Sequence, residues 1–271
     1  MREKPPIRLL ALDLDDTLLG TDKKIHPDDL LAIQKAREKG IRPVIVTGRH
    51  WLNAHQYAEE LGDDVPVIAT GGASIHGPRG ELWKAYRLSR EAALQMVRWA
   101  QEADVAVRVD YELSWFYNRR PELDFWNDQK FPDHMGPHEH VDPRAVEKNP
   151  EDPLQVLTGG RDAVALMKAF GYLDGQVRVL PLPDPNEPRV VHITHSLATK
   201  GIALAWLAEK WGLRREEVMA FGDGANDIPM MCFAGLSVAS DRAIPAVKLL
   251  ADEEMEGPGG IALILEKYGL I

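Results

Sequence analysis

Ile7–Leu14 reads IRLLALDL and runs directly into Asp15-Asp16-Thr17. A short apolar run that ends in carboxylates predicts a strand buried on both faces, with its acidic C-terminal end opening onto a polar turn. Outward from that strand, Pro27–Lys39 (PDDLLAIQKAREK) carries helical spacing, acids in its first turn, bases in its last, and Gly40 as a stop. Ile41–Val46 predicts a second strand ending in Thr47-Gly48-Arg49, His50–Leu61 a helix, and Val65–Ala69 a third strand. The strand, helix, strand, helix, strand order predicts an α/β fold: a Rossmann-like parallel-sheet core with helices on both faces.

The rhythm breaks after Gly71-Gly72 and resumes near Val190. Between them, a helix is expected over Arg90–Glu102 and strand-like sequence over Val105–Asn118. A Pro-, His- and Asp-rich stretch follows around Pro132–Pro153, then a strand (Leu154–Thr158), a helix (Asp162–Phe170) and a strand (Gln176–Leu182). This mixture predicts an α+β unit over residues 83–190, inserted into a discontinuous core formed by 1–82 and 191–271. From Thr199 the core pattern returns: a helix (Lys200–Trp211), a strand (Glu217–Phe221) ending in Gly222-Asp223, a further helix and strand through Val238, and a Gly-opened helix within Gly257–Ile271.

The 271 residues are 45% apolar and 27% charged, enough for a full core plus a smaller second domain. With 32 Lys and Arg against 42 Asp and Glu, the net charge of −10 argues against nucleic acid or an anionic membrane as partner. It does not exclude a phosphate ligand, because a metal or local N–H groups override the overall sign. Cys232 is the single cysteine, so neither an intramolecular disulfide nor a thiolate zinc site is expected. The apolar start is broken by Asp13, and no run approaches the length of a membrane span. The expectation is a soluble cytoplasmic protein, a monomer or small homo-oligomer.

Ligands of open parallel sheets bind beyond the carboxyl ends of the strands. Three predicted strands end in polar clusters there: Asp13–Thr17, Thr47–Arg49, and Gly222-Asp223-Gly224-Ala225-Asn226-Asp227. A crowd of carboxylates is unfavourable without a cation, and hard oxygen ligands favour Mg2+. A metal-neutralised carboxylate beside a phosphate-binding Thr is what phosphoryl transfer through an aspartyl phosphate requires.

Asp13-x-Asp15-x-Thr17-Leu18, Thr47-Gly48-Arg49, Lys200-Gly201 and Gly222-Asp223-x-x-Asn226-Asp227 resemble, in order, the four motifs of the haloacid dehalogenase (HAD) superfamily. The likeness spans the chain and is strongest to the Cof-like phosphatases, whose large α/β cap (type IIB) lies between the second and third motifs. The resemblance implies that Asp13 is the nucleophile and a metal ligand. It implies that Asp15 is acid and then base, with its backbone carbonyl on the metal. Thr47, Gly48 and Lys200 would hold the phosphoryl oxygens, Asp223 would bind the metal, and Asn226 and Asp227 would orient phosphate, metal waters or Lys200. Relatives often have Asn-Gly-Ala where this chain has Gly71-Gly72-Ala73, and Gly-Asn-Ala where it has Asp241-Arg242-Ala243. At Asp16 many have Gly. The two missing Asn positions touch substrate contacts, not the phosphoryl chemistry, and Asp16 is either a solvated loop residue or a helper behind the acids.

His134, His138 and His140 offer either a transition-metal set or solvated loop histidines. Arg119, Arg120 and Lys130 offer a second anion site or solvated charge, and Trp115 and Trp126 a ring-stacking surface or core. The implied function is hydrolysis of a small phosphate ester, a sugar phosphate or a phosphorylated cofactor. A phosphotransferase or mutase of the same fold, and a phosphate-binding regulatory module without turnover, are the alternatives.

Overall fold

The computed structural model describes residues 7–119, 138–159, 165, 168–170, 175–183 and 188–271. In chain order the elements begin with Leu9–Leu12 (β1), Pro27–Glu38 (α1), Arg42–Val46 (β2), Trp51–Leu61 (α2), Val67–Ala69 (β3), Ser74–His76 (β4) and Leu82–Ala85 (β5). Next come Arg90–Glu102 (α3), Arg108–Asp110 (β6), Trp115–Tyr117 (β7), Glu139–Val141 (β8), Ala145–Lys148 (α4), Gln155–Gly159 (β9), Val177–Pro183 (β10) and Pro188–His195 (β11). Lys200–Lys210 (α5), Val218–Gly222 (β12), Ile228–Phe233 (α6), Leu236–Ala239 (β13), Pro245–Leu250 (α7), Glu253–Glu254 (β14) and Gly260–Lys267 (α8) complete it. The chain divides into two compact units, Met1–Lys84 with Thr199–Ile271, and Ala85–Ala198. Among the described residues no helix is long and apolar enough to cross a membrane.

The first unit is built on an eight-stranded sheet of order β14-β13-β12-β1-β2-β3-β4-β5. From β14 to β3 the pairings are parallel, and β4 runs antiparallel to β3. Strand alternation sends Leu10 and Leu12 of β1 into one apolar layer with Ile45, Phe221 and the inner faces of α1, α2 and α8. Leu9 and Ala11 enter the opposite layer with Val44, Ala220 and residues of α5, α6 and α7. All four residues of β1 are completely buried, as a central strand covered on both faces demands. The helices carry their own start signals: His26 Nδ1 accepts from Asp28 N–H at the head of α1, and Pro27 occupies a first-turn position where its missing N–H costs nothing. Neighbours β2 and β12 flank β1 on opposite sides, so the connections diverge there and a crevice opens at the carboxyl end of β1.

The second unit has a six-stranded sheet of order β10-β11-β9-β6-β7-β8. Its pairings are antiparallel except between β7 and β8. The strand-like stretch over Val105–Asn118 is a hairpin, because Glu112-Leu113 turn the chain and Tyr111 N–H bonds back to the Ser114 carbonyl at 2.8 Å. Residues 191–195 belong to this second sheet, where β11 pairs with both β10 and β9. One face of the sheet packs Val107, Val109, Val156, Val191 and Ile193 against α3. The alternate positions carry a buried polar chain. Arg108 grips Asp110 with two bonds of 2.7 and 2.9 Å, Gln155 Nε2 donates to Asp110 at 2.6 Å, and His192 Nδ1 meets Gln155 Oε1 at 2.9 Å. Burial, aided by the Arg108 charge, pushes His192 down to about 4, so the ring is neutral and Nδ1 carries the proton it gives to Gln155. Trp115 is buried in this unit. His134, Arg120, Trp126, Lys130 and most of the helix expected at Asp162–Phe170 lie outside the described residues.

Candidate active site

The backbone leaves β1 in a single tight turn. Leu18 N–H returns to the Asp13 carbonyl at 3.1 Å and Leu19 N–H to that of Leu14 at 2.8 Å. Asp16 makes this reversal with φ +59°, in the left-handed region. Asp13, 5% exposed, stays at the strand end with its N–H bonded to the Phe221 carbonyl of β12. Lys200 reaches it from the first turn of α5, a helix capped by Thr199 Oγ1, which accepts from Ile202 N–H at 3.0 Å. Gly201 is required beside it, since a Cβ there would lie 2.3 Å from the Pro229 carbonyl oxygen.

The Lys200 ammonium is completely buried and donates to Asp13 Oδ1 at 2.6 Å and Asp227 Oδ1 at 2.5 Å. Asp227 uses its other oxygen to accept from Asp223 N–H at 3.1 Å and Gly224 N–H at 2.9 Å, so it fixes the loop that presents Asp223. Oxygens of Asp13, Asp223 and Asp227 lie within 4.8 Å of one another. Among the described residues this is the group with metal-ligand spacing; neither His138 nor His140 belongs to it. Thr17 Oγ1 donates toward Asp223 Oδ1 at 3.4 Å.

Three carboxylates and one ammonium in a buried space leave negative charge in excess. Burial, then the charges of Asp227 and Asp223, raise Asp13 well above the usual carboxylate range against the pull of Lys200. Burial and Asp227 push Asp223 up to about 7. Lys200 loses solvation too, but Asp13 and Asp227 more than compensate and hold it above its ordinary value. The chemistry of this donor set, hard oxygens with uncompensated charge, fits a divalent cation such as Mg2+.

Asp15 faces different company. Arg49 clamps its carboxylate with two bonds of 2.8 Å, and Lys23 adds one of 2.7 Å. Burial alone would raise Asp15, yet the bonds and charges of Arg49 and Lys23 bring it below its ordinary value. Arg49 is itself held by Tyr57, whose hydroxyl accepts at 3.3 Å. Thr47 Oγ1 accepts from Arg49 N–H at 3.1 Å, and a methyl group placed on Gly48 would lie 3.9 Å from Asn226 Nδ2, which sets the Thr47–Arg49 loop beside the Asn226 loop. The fold thus joins Asp13, Lys200, Asp223 and Asp227 in one cluster and places Asp15 in a second with Arg49 and Lys23. Sequence reasoning gave Arg49 no role of its own and passed over Lys23. The position of Arg49 directly after Thr47-Gly48 was a usable signal, whereas Lys23 reaches Asp15 only through the turn.

Carboxylates, a buried lysine and a clamped second acid thus gather at the switch point of a parallel sheet, where ligands of such sheets bind. The sequence profile of the haloacid dehalogenase-like hydrolases matches residues 10–257, and the chain belongs to that family. It is 29% identical over 277 residues to the 5-amino-6-(5-phospho-D-ribitylamino)uracil phosphatase YitU of Bacillus subtilis, covering 99% of each chain. To the HMP-PP phosphatase of Klebsiella pneumoniae it is 27% identical, over 89% of this chain and 86% of that one. Among solved structures, the phosphatase BT1666 of Bacteroides thetaiotaomicron superposes with a TM-score of 0.82 at 25% identity, covering 100% of this chain and 98% of that one. The subclass IIB sugar phosphatase BT4131 gives 0.79 at 21% identity, over 97% of this chain and 100% of that one, a likeness of fold. The relatives are named as phosphatases, and the chain is a phosphatase-type enzyme of this family.

Proposed function

We propose that the protein is a Mg2+-dependent phosphomonoester hydrolase for small organic phosphates, a sugar phosphate or a phosphorylated cofactor or its precursor, working through an aspartyl phosphate on Asp13. The observation that carries this reading is the buried Lys200 ammonium shared between Asp13 and Asp227, with Asp223 alongside. An ammonium so placed neutralises and orients a carboxylate at the mouth of the sheet and stands ready for phosphoryl oxygens. Asp13 and Asp223, with the backbone carbonyl of Asp15, would hold the metal. When bound, the metal supplies charge compensation for the carboxylates and for the phosphoryl oxygens.

Asp13 attacks phosphorus, the bond from phosphorus to the ester oxygen breaks, and Asp15 gives its proton to the departing alkoxide. In the second half, Asp15 as carboxylate takes a proton from water. That water attacks phosphorus, the bond to Asp13 breaks, and inorganic phosphate leaves with the Asp13 carboxylate restored. The Asp15 found here, held by Arg49 and Lys23, is in the anionic form that suits the second half. For the first half it must carry a proton, so it has to loosen part of that grip when substrate is bound. Thr47, Gly48, Lys200 and Asn226 hold the phosphoryl group, and Asp227 fixes Lys200 and the Asp223 loop. The phosphatase names of the YitU and HMP-PP relatives support small phosphorylated metabolites as the substrate class.

The test is phosphate release from sugar phosphates, phosphorylated cofactors and p-nitrophenyl phosphate, with Mg2+ and with EDTA. Release is expected with Mg2+ alone and absent in Asp13→Asn, whose side chain is nearly isosteric. Turnover retained in Asp13→Asn, or unaffected by EDTA, refutes the covalent metal-dependent reading.

A further inference from the structure

The segment Ser240–Ile244 is used by none of the steps above, yet it bonds to both halves of the site. Arg242 Nη1 donates to Asp16 Oδ1 at 2.7 Å and Nη2 to the Leu19 carbonyl at 2.8 Å. Ser240 Oγ donates to the Asp16 carbonyl at 2.5 Å. These bonds therefore grasp the tight turn at both ends, on either side of Thr17 and Leu18. On the other flank, Ser240 N–H donates to the Gly222 carbonyl and Ile244 N–H to the Asp223 carbonyl, each at 2.9 Å. The segment is braced in turn by Lys248 on the Asp241 carbonyl at 2.8 Å and by Arg242 N–H on Ser240 Oγ at 3.2 Å.

The turn needs such a hold. Asp16 sits at φ +59°, a conformation that costs a non-glycine residue free energy and persists only where surroundings enforce it. A guanidinium is suited to the task because its rigid planar fork reaches a carboxylate and a carbonyl in fixed directions, whereas an ammonium is a point charge on a flexible stem. The ion pair is partly exposed, with about a third of the Arg242 side chain and a quarter of that of Asp16 accessible, so its contribution to global stability is small. Its effect falls on the turn.

We propose that Arg242 is a positioning residue: through Asp16 and the Leu19 carbonyl it sets the turn that carries Asp13 and Asp15, and through its own segment it fixes that turn's distance from Asp223. The inference rests on the reading of those three acids as the reacting and metal-binding groups.

The experiment combines hydrogen exchange with kinetics on Arg242→Ala, Arg242→Lys, Asp16→Asn and the double variant Asp16→Asn/Arg242→Ala. In Arg242→Ala the Leu18 and Leu19 amides should exchange on the order of tenfold faster, with the amides of β1 and the thermal midpoint unmoved. The Mg2+ concentration for half-maximal activity should rise and kcat fall by a similar order, with KM little changed. Arg242→Lys should recover part of both. The double variant should be no worse than Arg242→Ala, because the two residues act through one contact. Exchange of Leu18 and Leu19 within twofold of wild type, additive losses in the double variant, or faster exchange with unchanged kcat and Mg2+ dependence would each overturn the proposal. A wild-type protein that releases no phosphate from any ester sinks the parent reading instead, and the exchange result then still reports whether the brace exists.

Discussion

Lys200→Met removes the buried ammonium and keeps most of its volume, leaving Asp13, Asp223 and Asp227 together without it. The cheapest relief is for one more carboxyl to stay protonated. Against an ordinary carboxyl value of 3.8, that costs about 1.4 kcal/mol for every pH unit above it. The variant should then be less stable by about 1.6 kcal/mol at pH 5 and about 4 kcal/mol at pH 7, the upper figure agreeing with the ~3–5 kcal/mol lost when a buried pair is broken. The sign follows from proton counting. The folded variant holds a proton that the unfolded chain has released, so stability falls as pH rises. The wild type has a shallower fall of the same sign, because Asp13 and Asp223 titrate above their unfolded values. Urea unfolding of both proteins in EDTA at pH 5, 6 and 7 measures the difference, and Mg2+ should narrow it by supplying positive charge. A loss that is the same at pH 5 and pH 7 would refute the idea that Lys200 offsets carboxylate charge here.

Asp15→Asn should slow hydrolysis of alkyl phosphates far more than of p-nitrophenyl phosphate, whose leaving group needs no proton; equal losses in kcat on both would remove Asp15 as the acid. Because burial raises both Asp13 and Asp223, the latter to about 7, and a metal binds the carboxylate form, apparent Mg2+ affinity should rise with pH through the range from 5 to 7, as followed by calorimetric titration; affinity that does not change with pH would refute it. Gly201→Ala should cost about 1–3 kcal/mol of stability in denaturant melts, since its methyl group meets the Pro229 carbonyl oxygen at 2.3 Å.

The core was legible because its signals are local. Leu9–Leu12 is apolar at every position, as a strand covered on both faces must be, and α1 announces itself through Pro27, its acids and Gly40. The order of acids, threonine and lysine along the chain, read through its resemblance to the HAD motifs, named Asp13, Lys200, Asp223 and Asp227, which the fold brings together. What stayed hidden depends on long-range pairing. β4 is three residues long and β5 four, too short for alternation to register. Residues 191–195 were expected in the core, yet they lie in β11 of the second sheet, because nothing in their own sequence says which sheet they join. The grip of Arg49 on Asp15 and of Arg242 on Asp16 joins residues 34 and 226 positions apart, and only the turn after β1 brings them together.

The chain returns from the second unit at Ala198, and Lys200 follows two residues later. What seats that lysine nevertheless belongs to the first unit. Gly72, at φ +100°, lets the backbone of Thr199 pass so close that a Cβ would stand 2.3 Å from its carbonyl oxygen, and Gly201 does the same against Pro229. Among the described residues, both of these close approaches come from the first unit. A side chain at either glycine would have to displace the backbone on which Lys200 stands, so the position of the lysine depends on two residues that have none.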